Sequence, residues 1–354
     1  MDAKEFFGGL VEPLCDAFRP EYCDLYADMM AELLGGGGLR ERYERVRRPR
    51  PWEGPDPEAV LVLSRVTLGA DVVVTSVILD GMKRRFPEAR LQLVGSRKAW
   101  ELFAADARIG WLEAPYSRGG SVHERLAASH ALTALLPQGN VLIVDPDSRL
   151  TQLGLVPVCA EEQYRFFESR SYQAETTKTL AELARDWVKE VFDVDAAGYV
   201  APEAAAESGM VTVSLGVGEN LAKSAGAEFE RGLIEGLAAR GFRILVDYGA
   251  GDEEAQRVRR AIAGVTAVAT WQGAFAPFAA RIMNSGLYVG YDSAGQHVAA
   301  VSGVPLVTVF GGYATPRTFE RWKPHGPGPK AILQPSEHVL AETLAAADRL
   351  LRAS

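Results

Sequence analysis

Tyr288-Val289-Gly290-Tyr291-Asp292-Ser293-Ala294-Gly295-Gln296-His297-Val298-Ala299-Ala300 reads as a buried strand that ends in a small polar turn and passes at once into a helix. A second apolar strand, Val304 to Phe310, follows and runs into Gly311-Gly312. The free N–H groups and positive dipole end of such a helix make an anion site. Here they stand beside a carboxylate, a hydroxyl and an imidazole, a set suited to holding a diphosphate leaving group. A lone helical histidine is most often structural. Asp292 and Ser293 favour a ligand for His297, because a small polar turn after an apolar strand has little packing purpose.

The same strand–turn–helix grammar extends upstream to Met210. Strands at Met210–Leu215, Phe242–Asp247 and Val265–Thr270 alternate with helices at 228–240, 253–262 and 275–284, and a strand at 330–333 and a helix at 337–351 close the chain. Ser214-Leu215-Gly216-Val217-Gly218-Glu219-Asn220-Leu221-Ala222-Lys223 follows the first strand of this half. It lacks the third glycine of a dinucleotide fingerprint, since Leu221 holds that place. Gly216, Gly218, Asn220 and Lys223 instead suit a phosphate cradle with a lysine point charge. The alternative is a solvent-exposed lysine after a turn.

A first alternation begins at Ala59. Strands at 59–64, 90–94, 109–112 and 141–145 alternate with helices at 71–85, 97–104 and 122–136, and a helix at 175–192 follows. This builds a parallel sheet covered on both faces. The expected architecture is α/β, with two facing Rossmann-like domains, a central cleft and ligands beyond the carboxyl ends of the strands. The domains read as a helical extension over 1–56, a first Rossmann-like domain over 57–195, a link over 196–209 and a second domain over 210–354.

Arg65-Val66-Thr67-Leu68-Gly69-Ala70-Asp71 lies after the first strand. Asp71 is either a helix N-cap or a general base at the end of strand one, taking a proton from an acceptor hydroxyl. Gly69 would let backbone pass close to substrate. Asp145-Pro146-Asp147 reads as a turn or an acceptor-side polar contact rather than a metal pair, which needs further oxygen ligands. The stretch from Pro146 to Gln173 reads as a long irregular, functional connection. With the first-strand loop it offers Arg65, Gly69, Arg149, Gln152 and Arg170 to an acceptor.

The extension suggests two short helices broken near Arg19-Pro20, a turn at Gly35–Gly38, and a basic segment with Arg40, Arg42, Arg45, Arg47, Arg48 and Arg50. That segment is either a solvated helix and tether or a patch for an anionic acceptor or membrane surface. The whole chain of 354 residues carries 46 acidic against 38 basic side chains, a net charge of −8, which argues against nucleic acid as main partner. No apolar run approaches the ~20 residues of a membrane span. The start lacks a secretory layout, so a cytoplasmic protein is expected. Cys15, Cys23 and Cys159 fit no metal spacing and read as reduced structural thiols.

From about Ala59 to Leu333 these motifs resemble glycosyltransferase family 9, the group that includes the ADP-heptose:lipopolysaccharide heptosyltransferases. Asp292-Ser293-Ala294-Gly295-Gln296-His297, Gly303-Val304-Pro305-Leu306-Val307, Phe310-Gly311-Gly312 and the Pro316 to Gly326 segment carry the resemblance. So do Lys223, the six-residue separation of Arg65 and Asp71, and Phe86-Pro87. The resemblance implies a GT-B fold, a donor sugar nucleotide on the second domain, and inverting transfer without metal or other cofactor. It implies Asp71 as catalytic base and Lys223, Asp292, Ser293, Ala294 and His297 as donor-site positions. ADP is the favoured nucleotide; a glycan, glycolipid or small metabolite is the expected acceptor. Ala70 and Ala294 depart from common glycines, and the family's ribose-holding acid falls at or near Gly251, with Asp252 and Glu253 adjacent. Competing readings are a sugar-nucleotide-binding protein without transferase activity and a nucleotide-sugar epimerase of the same architecture.

Overall fold

In the computed structural model the described residues are 6–352 apart from 118–119, 138, 204–208, 219 and 267, so part of the expected link lies outside them. The chain divides into two compact units, 1–198 with 314–322, and 199–313 with 323–354.

The first unit holds five parallel strands: β1 (Ala59–Leu63), β2 (Arg90–Gly95), β3 (Ile109–Glu113), β4 (Val141–Asp145) and β5 (Tyr164–Phe166). Their order is β3-β2-β1-β4-β5, so the chain reverses direction across the sheet between β1 and β4. All five residues of β1 and of β4 are buried, as expected of strands covered on both faces. β5 falls in the stretch that reads as irregular. Three residues, Tyr164-Arg165-Phe166, are too few to show a period, and pairing with Ile143–Asp145 creates the strand.

Three local expectations change. The helix after β1 starts at Leu68, and Asp71–Thr75 forms one π-helical turn. Asp71 therefore lies inside the helix with φ −65° and is not its N-cap. The helix expected from Glu175 begins at Leu180, where Thr179 and Glu182 complete a capping box.

The third change concerns the amino-terminal extension, which is neither tether nor free basic patch. Its Phe7–Val11 and Glu12–Asp16 segments and its Pro20–Leu33 and Leu39–Val46 helices bury Phe7, Val11, Cys15, Tyr26, Met30, Tyr43 and Val46 in one core with β1, β4 and β5. At ~1.5–3 kcal/mol for each large apolar side chain buried, this face is a principal part of the unit's stability. Five of the six arginines of the basic segment bind within the unit. Arg40 pairs with Asp24 at 3.1 Å and Asp28 at 2.6 Å, and Arg47 with Asp24 at 2.5 Å. Arg45 pairs with Glu161 at 2.6 Å, Arg42 donates to Gly154 O at 2.7 Å and Arg50 to Glu161 O at 3.2 Å.

The Pro316–Trp322 helix also packs on this unit, although it follows β10 in sequence. Arg317 donates to Phe18 O at 3.1 Å and Ala174 O at 2.6 Å, and Thr318 Oγ1 to Asp16 O at 2.8 Å. The buried Arg321 guanidinium donates to Lys178 O at 2.6 Å, Gln173 O at 3.2 Å and Ala174 O at 3.3 Å.

The second unit has six parallel strands: β6 (Val211–Ser214), β7 (Ile244–Asp247), β8 (Val268–Trp271), β9 (Leu287–Tyr291), β10 (Leu306–Val309) and β11 (Lys330–Leu333). The order β11-β10-β9-β6-β7-β8 reverses between β6 and β9, which gives the Rossmann arrangement with its crevice there. The final helix, Val339–Arg352, stays on this unit, against β9, β10, β11 and the Ala227–Ala239 helix. Gly232 and Gly236 let Leu340 and Leu344 in; a Cβ on either glycine would come within 2.6 Å of a leucine methyl. No helix among the described residues is long and apolar enough to cross a membrane.

Candidate functional site

Two sets of polar residues stand at the carboxyl ends of the central strands, one in each unit. In the second unit the loop after β6 and the turn after β9 meet across the strand-order reversal. Lys223 Nζ donates to Asp292 Oδ2 at 2.6 Å and to Asp292 O at 3.2 Å, joining residues from the two loops. Asp292 Oδ1 accepts from Gln296 Nε2 at 2.6 Å, and Gln296 Oε1 accepts from Thr308 Oγ1 of β10 at 2.8 Å. The lysine is thus fixed by a chain of bonds that ends in the sheet. Its side chain is 25% exposed, so the paired ammonium remains partly open.

The Ala294–Val301 helix begins here. Ser293 precedes it in extended conformation and makes no side-chain capping bond, so its hydroxyl does not occupy the first-turn N–H groups. His297 lies in the second turn with Nε2 at 3.4 Å from Gln296 Nε2. Burial pushes its pKa down to about 4; Asp292 opposes this and Lys223 adds to it. The imidazole is therefore neutral near pH 7, a hydrogen-bonding group rather than a second cation.

The small residues of the turn have a packing purpose that the sequence reading missed. A Cβ on Gly290 would meet Ser214 O and the Tyr288 hydroxyl at 2.7 Å, and Gly295 faces the same ring. Tyr288 lies over both glycines, with its hydroxyl 3.4 Å from Ser293 Oγ.

The loop after β6 is built differently from the expected cradle. The N–H groups of Val217 and Gly218 donate to Glu254 Oε1 at 2.7 and 3.0 Å, and Ala250 N donates to Glu254 Oε2 at 2.9 Å. Those amides hold a protein carboxylate. Gly216 and Gly218 thus shape the loop, and Lys223 is its partly exposed charged member. Asn220 is also structural: Oδ1 accepts from Ala222 N at 3.1 Å and Nδ2 donates to Gly312 O at 2.9 Å. Glu254 carried no signal beyond its place on the helix that follows Gly249-Ala250-Gly251.

In the first unit Asp71 is fully buried. Its Oδ2 accepts from Ser64 Oγ at 2.8 Å, and Oδ1 from Arg65 N at 2.8 Å and Thr75 Oγ1 at 2.7 Å. Burial raises its pKa, against the lowering by these three bonds and by the Arg65 charge. Val66 has φ +61°, an outlier for a β-branched residue, and its N–H donates to Ser64 Oγ at 2.9 Å. A π turn and a strained backbone beside one carboxylate are features that concentrate at functional sites.

The connection after β4 lies against this network, since Ser148 Oγ donates to Ser64 O at 2.5 Å. Asp145 is a turn anchor, accepting from Ser148 N at 2.6 Å and from Thr151 and Tyr164 hydroxyls at 2.5 Å. Asp147 accepts from Ser169 Oγ at 2.9 Å and Arg170 Nε at 3.1 Å. Of the residues expected to face an acceptor, Arg65 and Arg149 are partly exposed. Arg170 and Gln152 are buried, with Gln152 Nε2 donating to Arg149 O at 3.0 Å. Gly69 sits in the first turn of the helix after β1.

Residues 173–341 match the family model described as glycosyltransferase family 9 (heptosyltransferase). A sequence comparison with curated proteins found no match. Among solved structures, a family 9 glycosyl transferase from Veillonella parvula is 15% identical with a TM-score of 0.64, covering 86% of this chain and 100% of its own. The E. coli heptosyltransferase WaaC, solved with ADP, is 17% identical with a TM-score of 0.60, over 83% of this chain and 99% of its own. The E. coli ADP-heptose lps heptosyltransferase II is 13% identical at 0.58, over the same shares. The resemblance to glycosyltransferase family 9 thus holds by sequence over 173–341 and by fold over most of the chain, and indicates a glycosyltransferase.

Proposed function

We propose that the protein is an inverting glycosyltransferase that moves a sugar, a heptose or related hexose, from a nucleotide diphosphate sugar to an acceptor hydroxyl. The observation that carries this reading is the fixed Lys223–Asp292 pair at the head of the Ala294–Val301 helix. It sets a cation beside helix amides that the Ser293 side chain leaves uncapped, at the strand-order reversal, an arrangement that suits a diphosphate. WaaC was solved with ADP, and this favours an ADP-sugar as the donor.

The acceptor oxygen attacks the anomeric carbon from the face opposite the diphosphate. Its proton passes to Asp71, whose desolvated carboxylate is a stronger base than one in water. The bond between the anomeric carbon and phosphate oxygen breaks, and its electron pair leaves with the nucleoside diphosphate. Lys223 and the helix N–H groups neutralise that developing charge, and neutral His297 can add a hydrogen bond. Preorganised donors of this kind contribute about 3 kcal/mol each. Because Asp71 already accepts three bonds, the acceptor hydroxyl takes up its remaining lone-pair capacity or displaces one donor.

Asp71→Asn tests the assignment. ADP affinity is expected to stay within a factor of two, while acceptor-dependent release of ADP from the ADP-sugar falls about 10²–10⁴-fold, the range for losing a general base. Undiminished turnover would remove Asp71 from the mechanism.

A further inference from the structure

Four arginines surround the polar face next to Asp71, and each is already engaged by the protein. Arg65 Nη1 donates to Ser169 Oγ at 2.8 Å, and its Nη2 lies 3.8 Å from Asp147 Oδ2. Arg170 Nε is 3.1 Å from Asp147 and 3.0 Å from Glu168. Arg125 donates to Gly120 O at 3.0 Å and to the Tyr116 hydroxyl at 2.6 Å, with its guanidinium over the Phe7 ring. Arg149 Nη2 donates to Glu12 Oε2 at 2.9 Å. Against these four cations stand four carboxylates, Asp71, Asp147, Glu168 and Glu12. An arginine-lined face that looks basic in the sequence is therefore balanced in the fold.

Exposure shows which of these charges an incoming molecule meets. Asp147, Glu168 and Arg170 are buried, and the Arg65 and Arg149 side chains are 11% and 15% exposed. Glu12 is the most open of the ion-paired set at 34%. It is not a loose side chain. It opens the Glu12–Asp16 helix, between Val11 and Cys15, both of which are in the core. The face is continuous with Asp71 through three residues: Ser64 donates to Asp71, Ser148 donates to Ser64 O, and Arg149 follows Ser148.

We propose that Glu12 of the amino-terminal extension closes Arg149 to anions and so selects the acceptor: the group lying against this face is a hydroxyl or an ammonium, as in a polyol or amino sugar, not a carboxylate or phosphate. An anionic acceptor would have to pull Arg149 away from Glu12 and then sit beside the displaced carboxylate. A hydroxyl or ammonium can instead use the free lone pairs of Glu12 and leave the pair intact. The inference rests on Asp71 marking the acceptor side, as proposed above.

Inorganic phosphate is the probe, titrated by calorimetry into the full-length protein and its variants without ADP. Glu12→Gln is expected to gain a phosphate site at least tenfold tighter than any Arg149-dependent binding in the wild type. Adding Arg149→Gln to that variant abolishes the gain. Glu12→Ala is read in the same way if Glu12→Gln does not fold. Phosphate binding to the wild type that Arg149→Gln removes would overturn the proposal, and so would absence of any gain when Glu12 is neutralised. Failure of the transferase reading shows elsewhere, as absence of heat when ADP is titrated into the wild type.

Discussion

At the residue scale, the second-unit site is a balance between one charge that is neutralised and one group that is kept neutral. Asp292 holds Lys223 and Gln296 at once, so the lysine is positioned before ligand arrives and pays little entropy on binding. His297 is the counterpart. Its folded pKa, about 4, lies below its ordinary 6.5. The stability it contributes is therefore full above pH 6.5 and lost as pH falls through 4. We expect the stability difference between wild type and His297→Gln to shrink as pH drops through this window. The slope should reach about 1.4 kcal/mol per pH unit. Urea unfolding at a series of pH values measures it, and a flat difference would contradict a buried neutral imidazole.

At the element scale, two loops from distant parts of the sequence hold the site by close backbone contact. Gly312 has φ +66°, and a Cβ there would lie 2.6 Å from Ala222 C and 2.7 Å from Lys223 N. Both neighbours are backbone and cannot step aside. Gly312→Ala should cost about 1–3 kcal/mol of stability and weaken ADP binding several-fold, because Lys223 rides on the displaced loop. Unfolding and titration together check this; an unchanged melt with unchanged affinity would refute the contact. This contact also bears on what the sequence revealed. The alternation of strand and helix was legible almost throughout, since buried parallel strands read as plain apolar runs such as Ala59–Leu63 and Leu306–Val309. Asp292, Lys223 and Asp71 stood out because polar residues in the connections that follow strands have few packing reasons. Glu254 and Tyr288 did not. Their roles depend on which loop lies opposite, and no local pattern encodes that. β5 escaped for the same reason, being a product of its partner strand.

At the scale of the whole molecule, segments far apart in the chain complete the first unit. The extension reads as polar and basic from its arginines, yet it supplies nine buried side chains to the core, from Phe7 to Val46. Composition hides this because Arg40, Arg42, Arg45, Arg47 and Arg50 find a carboxylate or carbonyl only after folding. The Pro316–Trp322 helix closes the unit from the other end of the chain, and Arg321 satisfies carbonyls at 173, 174 and 178. Arg321→Met takes the donor from the Lys178 carbonyl and one of several donors from the carbonyls of 173 and 174, and we expect a loss of about 2 kcal/mol, read as a lower urea midpoint with the same slope. No change in midpoint would show that the helix is not anchored there. In the proposed reading the second unit grips a nucleoside diphosphate through Lys223 and the helix that starts at Ala294. Calorimetric titration of ADP into wild type and Lys223→Ala tests it most directly. Saturable binding to the wild type and at least about tenfold weaker binding to the variant are expected, the loss of one charge-assisted bond; no heat from the wild type, or equal affinities, would rule this grip out.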